Sequence, residues 1–267
     1  MKYGTVICSI FYYIESIGGI KIQPLFFKKQ FIAILLIILS LIFLVRYDSI
    51  SLLSIYYLLF VLSLTLLPYL KFKLSYSYNL QVILLGIVLY FPIFNINMNE
   101  WIGNFTISQF LISVMLLLVL LYTVHWKELM QHYNTINSYI KLTLPGMISS
   151  LFEFFYYIIG EEIFYRFFII GYLSKSTNIF LCVFIGSILF VYSHYLNRWA
   201  NITFTKKSYI SLFLLGLFLS LVFYQTHSLL LCMILHTIYN HSELIVIYKR
   251  FKVKNIDEKS DMFDDYD

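Results

Sequence analysis

Two adjacent glutamates, Glu161 and Glu162, stand in an apolar stretch of the sequence, and Arg166 follows four residues later. Residues four apart on a helix share one face, so Glu162 and Arg166 can form an ion pair that removes much of the penalty of burying each charge. Glu161 is rotated from Glu162 by about 100° and can face a different partner. A carboxylate in a cavity with little water is suited to act as a general base on a water molecule.

Two histidines and an asparagine complete this set of polar residues. His194 follows Phe190 by four residues in one apolar run, and His236 and Asn240 are four apart in another. On a continuous helix, His236 and Asn240 would project from one face towards a common point. Two donors aimed at one point could form an oxyanion site.

The elements that must position these residues are membrane helices. The chain is 60% hydrophobic and 12% charged, and a helix needs about 20 mostly apolar residues to cross a bilayer. The apolar runs are too long and continuous for the alternating strands of a membrane barrel. The fold class is therefore all-α, a polytopic transmembrane helix bundle of about eight spans. The predicted spans are 31–45, 50–70, 79–94, 105–125, 152–173, 178–196, 209–225 and 228–248.

Lys and Arg residues predict the orientation, because cytoplasmic segments retain positive charge. With both termini in the cytoplasm, all but three of the 19 Lys and Arg residues fall on the inside, the exceptions being Arg46, Lys175 and the intraspan Arg166. This bias and attraction to the lipid bilayer account for the net charge of +5, so no nucleic-acid partner is needed.

The predicted organisation has three parts. Residues 1–30 form a cytoplasmic or interfacial segment, and the alternative is a ninth span over residues 3–20 that places the N-terminus outside. Residues 31–250 form the bundle, with the polar motifs in a core at 151–241. Residues 251–267 form an acidic cytoplasmic tail.

Several hydrolase designs are excluded by the residue pattern. Every Asp lies outside the predicted spans, and the sequence contains neither a His-Glu-x-x-His helix nor a Gly-x-Ser-x-Gly elbow. Cys8, Cys182 and Cys232 lack the spacing of a disulfide framework or thiolate metal site. The residue types alone leave three alternative roles for these polar residues: catalysis, contacts that hold helices together, and a path for protons. The absence of repeated halves counts against a carrier.

The motifs Glu-Glu-x-x-x-Arg, Phe-x-x-x-His and His-x-x-x-Asn, in this order on separate predicted helices, resemble the CPBP family of intramembrane peptidases. This family includes CAAX-prenyl endopeptidases and proteins of bacteriocin processing and immunity. The resemblance covers about residues 151–241. It implies an intramembrane CAAX-type endopeptidase that hydrolyses a membrane-associated peptide or protein.

The resemblance also implies a role for each matching position. Glu161 would activate a water molecule together with His194, and His236 and Asn240 would steady the oxyanion of the tetrahedral intermediate. Glu161, His194 and His236 could instead hold zinc, as in metalloproteases with a His, His, Glu ligand set. We favour the metal-free glutamate mechanism, and no cofactor is assigned.

Glu162 and Arg166 would be the supporting pair, and Phe167 stands where many family members have Gly. The richness in Ile, Lys, Asn and Tyr suggests an AT-rich bacterial genome, and hence a multi-pass protein of a bacterial plasma membrane. By analogy with bacterial members, the substrate would be a bacteriocin, a pheromone or a similar peptide cut near the cytoplasmic leaflet. The alternative is a non-enzymatic immunity or scaffold protein that retains the fold.

Overall fold

The structure, a computed structural model, describes residue 83 and residues 86–95, 103–125, 141–175, 177–196 and 206–252. Within these ranges the chain is almost entirely helical, which agrees with the all-α prediction. The six longer α-helices of this part of the chain are α1 (Ile107–Leu120), α2 (Leu144–Glu162), α3 (Ile179–Leu196), α4 (Lys206–Thr226), α5 (Leu229–Tyr239) and α6 (His241–Lys252).

Shorter segments extend or precede these helices. A π-helix, Leu121–His125, follows α1, and a longer π-helix, Ile163–Tyr172, follows α2 and leads into a 3-10 turn, Leu173–Lys175. A 3-10 turn at Val88–Tyr90 and a short helix at Pro92–Asn95 lie before α1. π-helical geometry is rare and frequently occurs at functional sites. The Ile163–Tyr172 segment begins directly after the two adjacent glutamates.

The start of α2 has a clear local cause. The side chain of Thr143 accepts a hydrogen bond from the backbone N–H of Gly146 at 3.3 Å, and Pro145 occupies the first turn. A threonine cap and an early proline both favour a helix start. The helix therefore begins well before position 152, where the apolar run predicted the span to begin.

Four predicted spans coincide with helices of the structure: 105–125, 152–173, 178–196 and 209–225. In the part of the chain that is described, Lys206–Thr226 is long and apolar enough to cross a membrane, and α5 with α6 gives a second such span if the bent pair counts as one. Ile107–Thr123 and Ile179–Tyr195 are apolar but shorter. Residues 1–30, spans 31–45 and 50–70, most of span 79–94, and the tail after residue 252 lie outside the described residues.

The last predicted span, 228–248, requires a correction. The prediction of one continuous helix is wrong, because α5 ends at Tyr239, α6 begins at His241, and their axes differ by 57°. The backbone of Asn240, between them, is not α-helical, with φ −90° and ψ 16°. The backbone N–H of Glu243 donates to the Asn240 carbonyl at 3.0 Å and so begins the next helix.

The π-helix Ile163–Tyr172 is the centre of the apolar core. Phe164, Phe167 and Phe168 are fully buried there, and the segment packs against α3, α4 and α5. Helices α3 and α4 come close together because Gly216 has no side chain. A Cβ at this position would lie 3.2 Å from both the Cα and the Cβ of Ser187.

We predict that Gly216→Leu lowers the free energy of unfolding by about 1–3 kcal/mol, because the new side chain would force α3 and α4 apart. Thermal unfolding of the purified protein in detergent measures the loss. Leu221→Val, a change on the exposed face of the same helix, is the control and should leave the unfolding temperature near that of the wild type. A Gly216→Leu protein as stable as its parent would contradict the close packing.

Candidate active site

The ion pair predicted within the first motif is present in the structure. Arg166 Nε lies 3.2 Å from Glu162 Oε2, and both side chains are at most 1% exposed. The two groups are in ion-pair contact without the alignment of a hydrogen bond, since neither atom has a hydrogen-bond partner among the described residues. The buried glutamate thus has a nearby positive charge that offsets the cost of its burial.

His236, on α5, uses the second oxygen of the same carboxylate. Its Nδ1 atom lies 2.7 Å from Glu162 Oε1, and the imidazole is 2% exposed. An ionised carboxylate can only accept a hydrogen bond, so Nδ1 carries the proton and donates it. Glu162 therefore joins Arg166 to His236, a contact that the sequence analysis did not predict.

Glu161 faces a different direction, as its rotation on the helix predicted. Its Oε2 atom lies 3.8 Å from His236 Nε2, and its Oε1 atom lies 4.0 Å from His194 Nε2. Both separations are too long for a hydrogen bond. The side chains of Glu161 and His194 are 15% and 22% exposed, so this side of the cluster is the accessible one.

The His194 ring is oriented in the same way as that of His236. Its Nδ1 atom lies 2.9 Å from the carbonyl oxygen of Phe190, one turn earlier on α3. A carbonyl only accepts, so Nδ1 of His194 also carries a proton. Both histidines therefore direct Nδ1 away from Glu161 and present Nε2 to its carboxylate.

Asn240 is joined to the cluster only through the backbone. Its N–H donates to the carbonyl of His236 at 3.0 Å, and it caps α5 with a half-buried side chain. No hydrogen bond links the Asn240 side chain to another described residue. The expected projection of His236 and Asn240 from one straight helix does not hold, because the helix ends between them.

Two further carboxylates, one of them beside Glu161, were missed by the sequence analysis. Glu243, in the first turn of α6, is half-buried and close enough to Glu161 for the two charges to interact. Glu153, two turns before Glu161 on α2, is 2% exposed. Both lie inside predicted spans, where an ionisable side chain is costly and therefore marks a candidate functional residue. That position was the signal that could have identified them.

The zinc alternative can be compared with this geometry. Two imidazole Nε2 atoms and one carboxylate are donor types that zinc accepts, and a protonated Nδ1 leaves Nε2 as the coordinating atom. In the part of the chain that the structure describes, no three His, Cys, Asp or Glu side chains are close enough together to hold a metal ion. The donor types fit zinc, whereas their present spacing does not.

Comparison with known proteins places this site in a family context. Residues 143–242 match the family model described as Rce1-like, type II CAAX prenyl endopeptidase. No match was found among curated proteins or among solved structures. The matched residues include the two glutamates, both histidines and Asn240. The predicted resemblance to CPBP-type intramembrane peptidases is therefore confirmed, over residues 143–242.

Proposed function

We propose that the protein is an intramembrane endopeptidase that hydrolyses a membrane-associated peptide or protein with a glutamate-activated water molecule. One observation carries this proposal. The partly exposed carboxylate of Glu161 faces the Nε2 atoms of His194 and His236, while the neighbouring Glu162 is buried and paired with Arg166. The similarity of residues 143–242 to the Rce1-like family supports the same activity.

The proposed reaction begins at Glu161 and His194. A water molecule bound between them attacks the peptide carbonyl carbon, and its proton passes to the Glu161 carboxylate. The carbonyl oxygen becomes an oxyanion. When the C–N bond breaks, the proton held by Glu161 goes to the leaving amine, so that one water is added across the bond and the carboxylate is regenerated.

His236 and Asn240 are the proposed oxyanion donors. Because His236 Nδ1–H is already committed to Glu162, the ring can donate from Nε2 only when it is an imidazolium. The carboxylates of Glu161 and Glu162 face this ring from two sides. A preorganised donor in a dry site contributes about 10²–10³ in rate.

The proposed substrate is a bacterial membrane peptide such as a bacteriocin or pheromone, rather than a prenylated protein. The sequence composition suggests a bacterial source, where prenylated Cys-a-a-X targets are not expected. The alternative mechanism uses zinc held by Glu161, His194 and His236, whose donor types fit the ion although their spacing in the structure does not.

We also propose the membrane arrangement of eight spans with both termini in the cytoplasm of a bacterial cell. Alkaline phosphatase, which is active only outside the cytoplasm, tests it as a fusion partner. We predict that alkaline phosphatase fused after Lys175 is active and that alkaline phosphatase fused after Lys252 is inactive, because positive residues concentrate on the cytoplasmic side. The opposite pattern would show that the proposed orientation is wrong.

We predict that Glu161→Gln reduces peptide cleavage by about 10²–10⁴-fold, because the amide cannot take a proton from water. The measurement is cleavage of a membrane-peptide library in liposomes, with and without a chelator. Glu153→Gln, a buried carboxylate on the same helix, is the matched control and should retain activity.

The result in the chelator arm distinguishes the mechanisms. If the wild type stays active with the chelator and Glu161→Gln is inactive, the glutamate mechanism is supported. If both the chelator and Glu161→Gln abolish cleavage, zinc is supported. If the wild type cleaves nothing and Glu161→Gln still protects cells from a bacteriocin, the enzyme proposal fails and the non-enzymatic immunity role takes its place.

A further prediction concerns the stability of the buried ion pair. Glu162→Ala should lower the free energy of unfolding by about 3–5 kcal/mol, because it leaves the buried Arg166 charge without its partner. Adding Arg166→Met removes that charge and should recover much of the loss. Unfolding in detergent of both single variants and the double variant forms the required cycle. A double variant no more stable than Glu162→Ala would show that the pair is not what stabilises this region.

A further inference from the structure

The Phe190 ring packs against both histidines of the candidate active site. The residue is fully buried on α3, four positions before His194. The centroid of its ring lies 4.6 Å from that of His194 with an interplanar angle of 60°, and 6.0 Å from that of His236 with an angle of 73°. Both are tilted, edge-to-face arrangements, which aromatic pairs prefer.

The same phenyl ring also contacts Arg166 of the supporting pair. Cζ of Arg166 lies 5.1 Å from the ring centroid, within the range of a cation–π interaction. The ring of Tyr165 meets Phe190 edge-on at 5.2 Å. One side chain therefore packs against groups from α3, α5 and the π-helix Ile163–Tyr172.

Each imidazole of the site also has a hydrogen bond at Nδ1. The partner is the Phe190 carbonyl for His194 and the Glu162 carboxylate for His236. The terminal torsion of a histidine side chain is broad, so the plane of the ring can still vary within the range that this hydrogen bond tolerates. A rigid neighbour against the ring removes this freedom.

We propose that Phe190 is a positioning residue that fixes the planes of His194 and His236 and so keeps both Nε2 atoms directed at Glu161. An aliphatic side chain fills similar space but offers neither a face to the guanidinium nor an edge to the imidazoles. The kinetic consequence of this role rests on the proposed function, whereas its consequence for the histidine rings does not.

Phe190→Leu is the test variant, because it removes the aromatic ring and keeps the backbone carbonyl that His194 uses. A displacement of about 1 Å in a catalytic group can cost about 10²-fold in rate. We therefore expect kcat to fall by about 10–100-fold with little change in KM. Phe154→Leu, which makes the same change at a buried position on α2 next to Phe155, is the matched control and should keep kcat close to that of the wild type.

A second readout follows the histidines directly. Nitrogen-15 NMR of histidine-labelled protein in lipid reports the protonation and mobility of each ring, and His194→Ala and His236→Ala assign the signals. We expect two immobile rings protonated at Nδ1 in the wild type and in Phe154→Leu. In Phe190→Leu the same signals should broaden or shift.

Phe190→Met covers the case in which the leucine variant fails to fold, because methionine fills irregular space well. It should restore thermal stability without restoring kcat or the histidine signals. Histidine signals that remain unchanged in a folded Phe190 variant, or a kcat no lower than that of Phe154→Leu, would overturn the proposal. If the wild type cleaves no peptide, the proposed function fails, and the NMR comparison still decides the role of Phe190.

Discussion

Burial of the Glu162 carboxylate is the constraint on which the rest of the site depends. A charge in an apolar bundle is strongly destabilising unless opposite charge and hydrogen bonds surround it. Glu162 meets this requirement with one oxygen facing Arg166 and the other accepting from His236. The contact joins α2 and the following π-helix to α5. It also fixes which nitrogen of His236 bears a proton, so one structural interaction determines the chemistry available at its neighbour.

The two adjacent glutamates have different environments for the same reason. Residues next to each other on a helix point about 100° apart, so only one of them can enter the paired interior. Glu162 enters it and is fully buried, whereas Glu161 remains partly exposed beside His194. The π-helix begins at Ile163, directly after this pair. One helix end thus supplies both a buried, paired carboxylate and a partly exposed one.

What the sequence could predict was set by distances along one helix. The spacing of Glu162 and Arg166 and the rotation of Glu161 follow from helix geometry, and the structure shows both. The contact of Glu162 with His236 depends on how α5 packs against α2, and no local pattern encodes that packing.

The break at Asn240 did leave a signal, because Asn followed three residues later by Glu is a pattern of helix starts. The span prediction did not use this signal, because apolar residues resume at Leu244 after the short polar stretch 240–243. The first half of the chain could be predicted only as apolar spans.

The contrast between the two glutamates also bears on whether these polar residues are catalytic or only hold the helices together. Polar groups that only hold membrane helices together are expected to satisfy one another, because an unpaired group in a low dielectric is costly. Glu162 fits that description, with contacts to a cation and an imidazole. Glu161 does not, since its carboxylate makes no hydrogen bond to a described residue and stands 3.8 to 4.0 Å from two imidazole nitrogens. A carboxylate that is held near two ring nitrogens, but bonded to neither, retains the lone pairs that a general base or a metal ligand needs. The described helices therefore pair one buried charge and leave a second carboxylate accessible, which is the arrangement that the proposed hydrolysis needs.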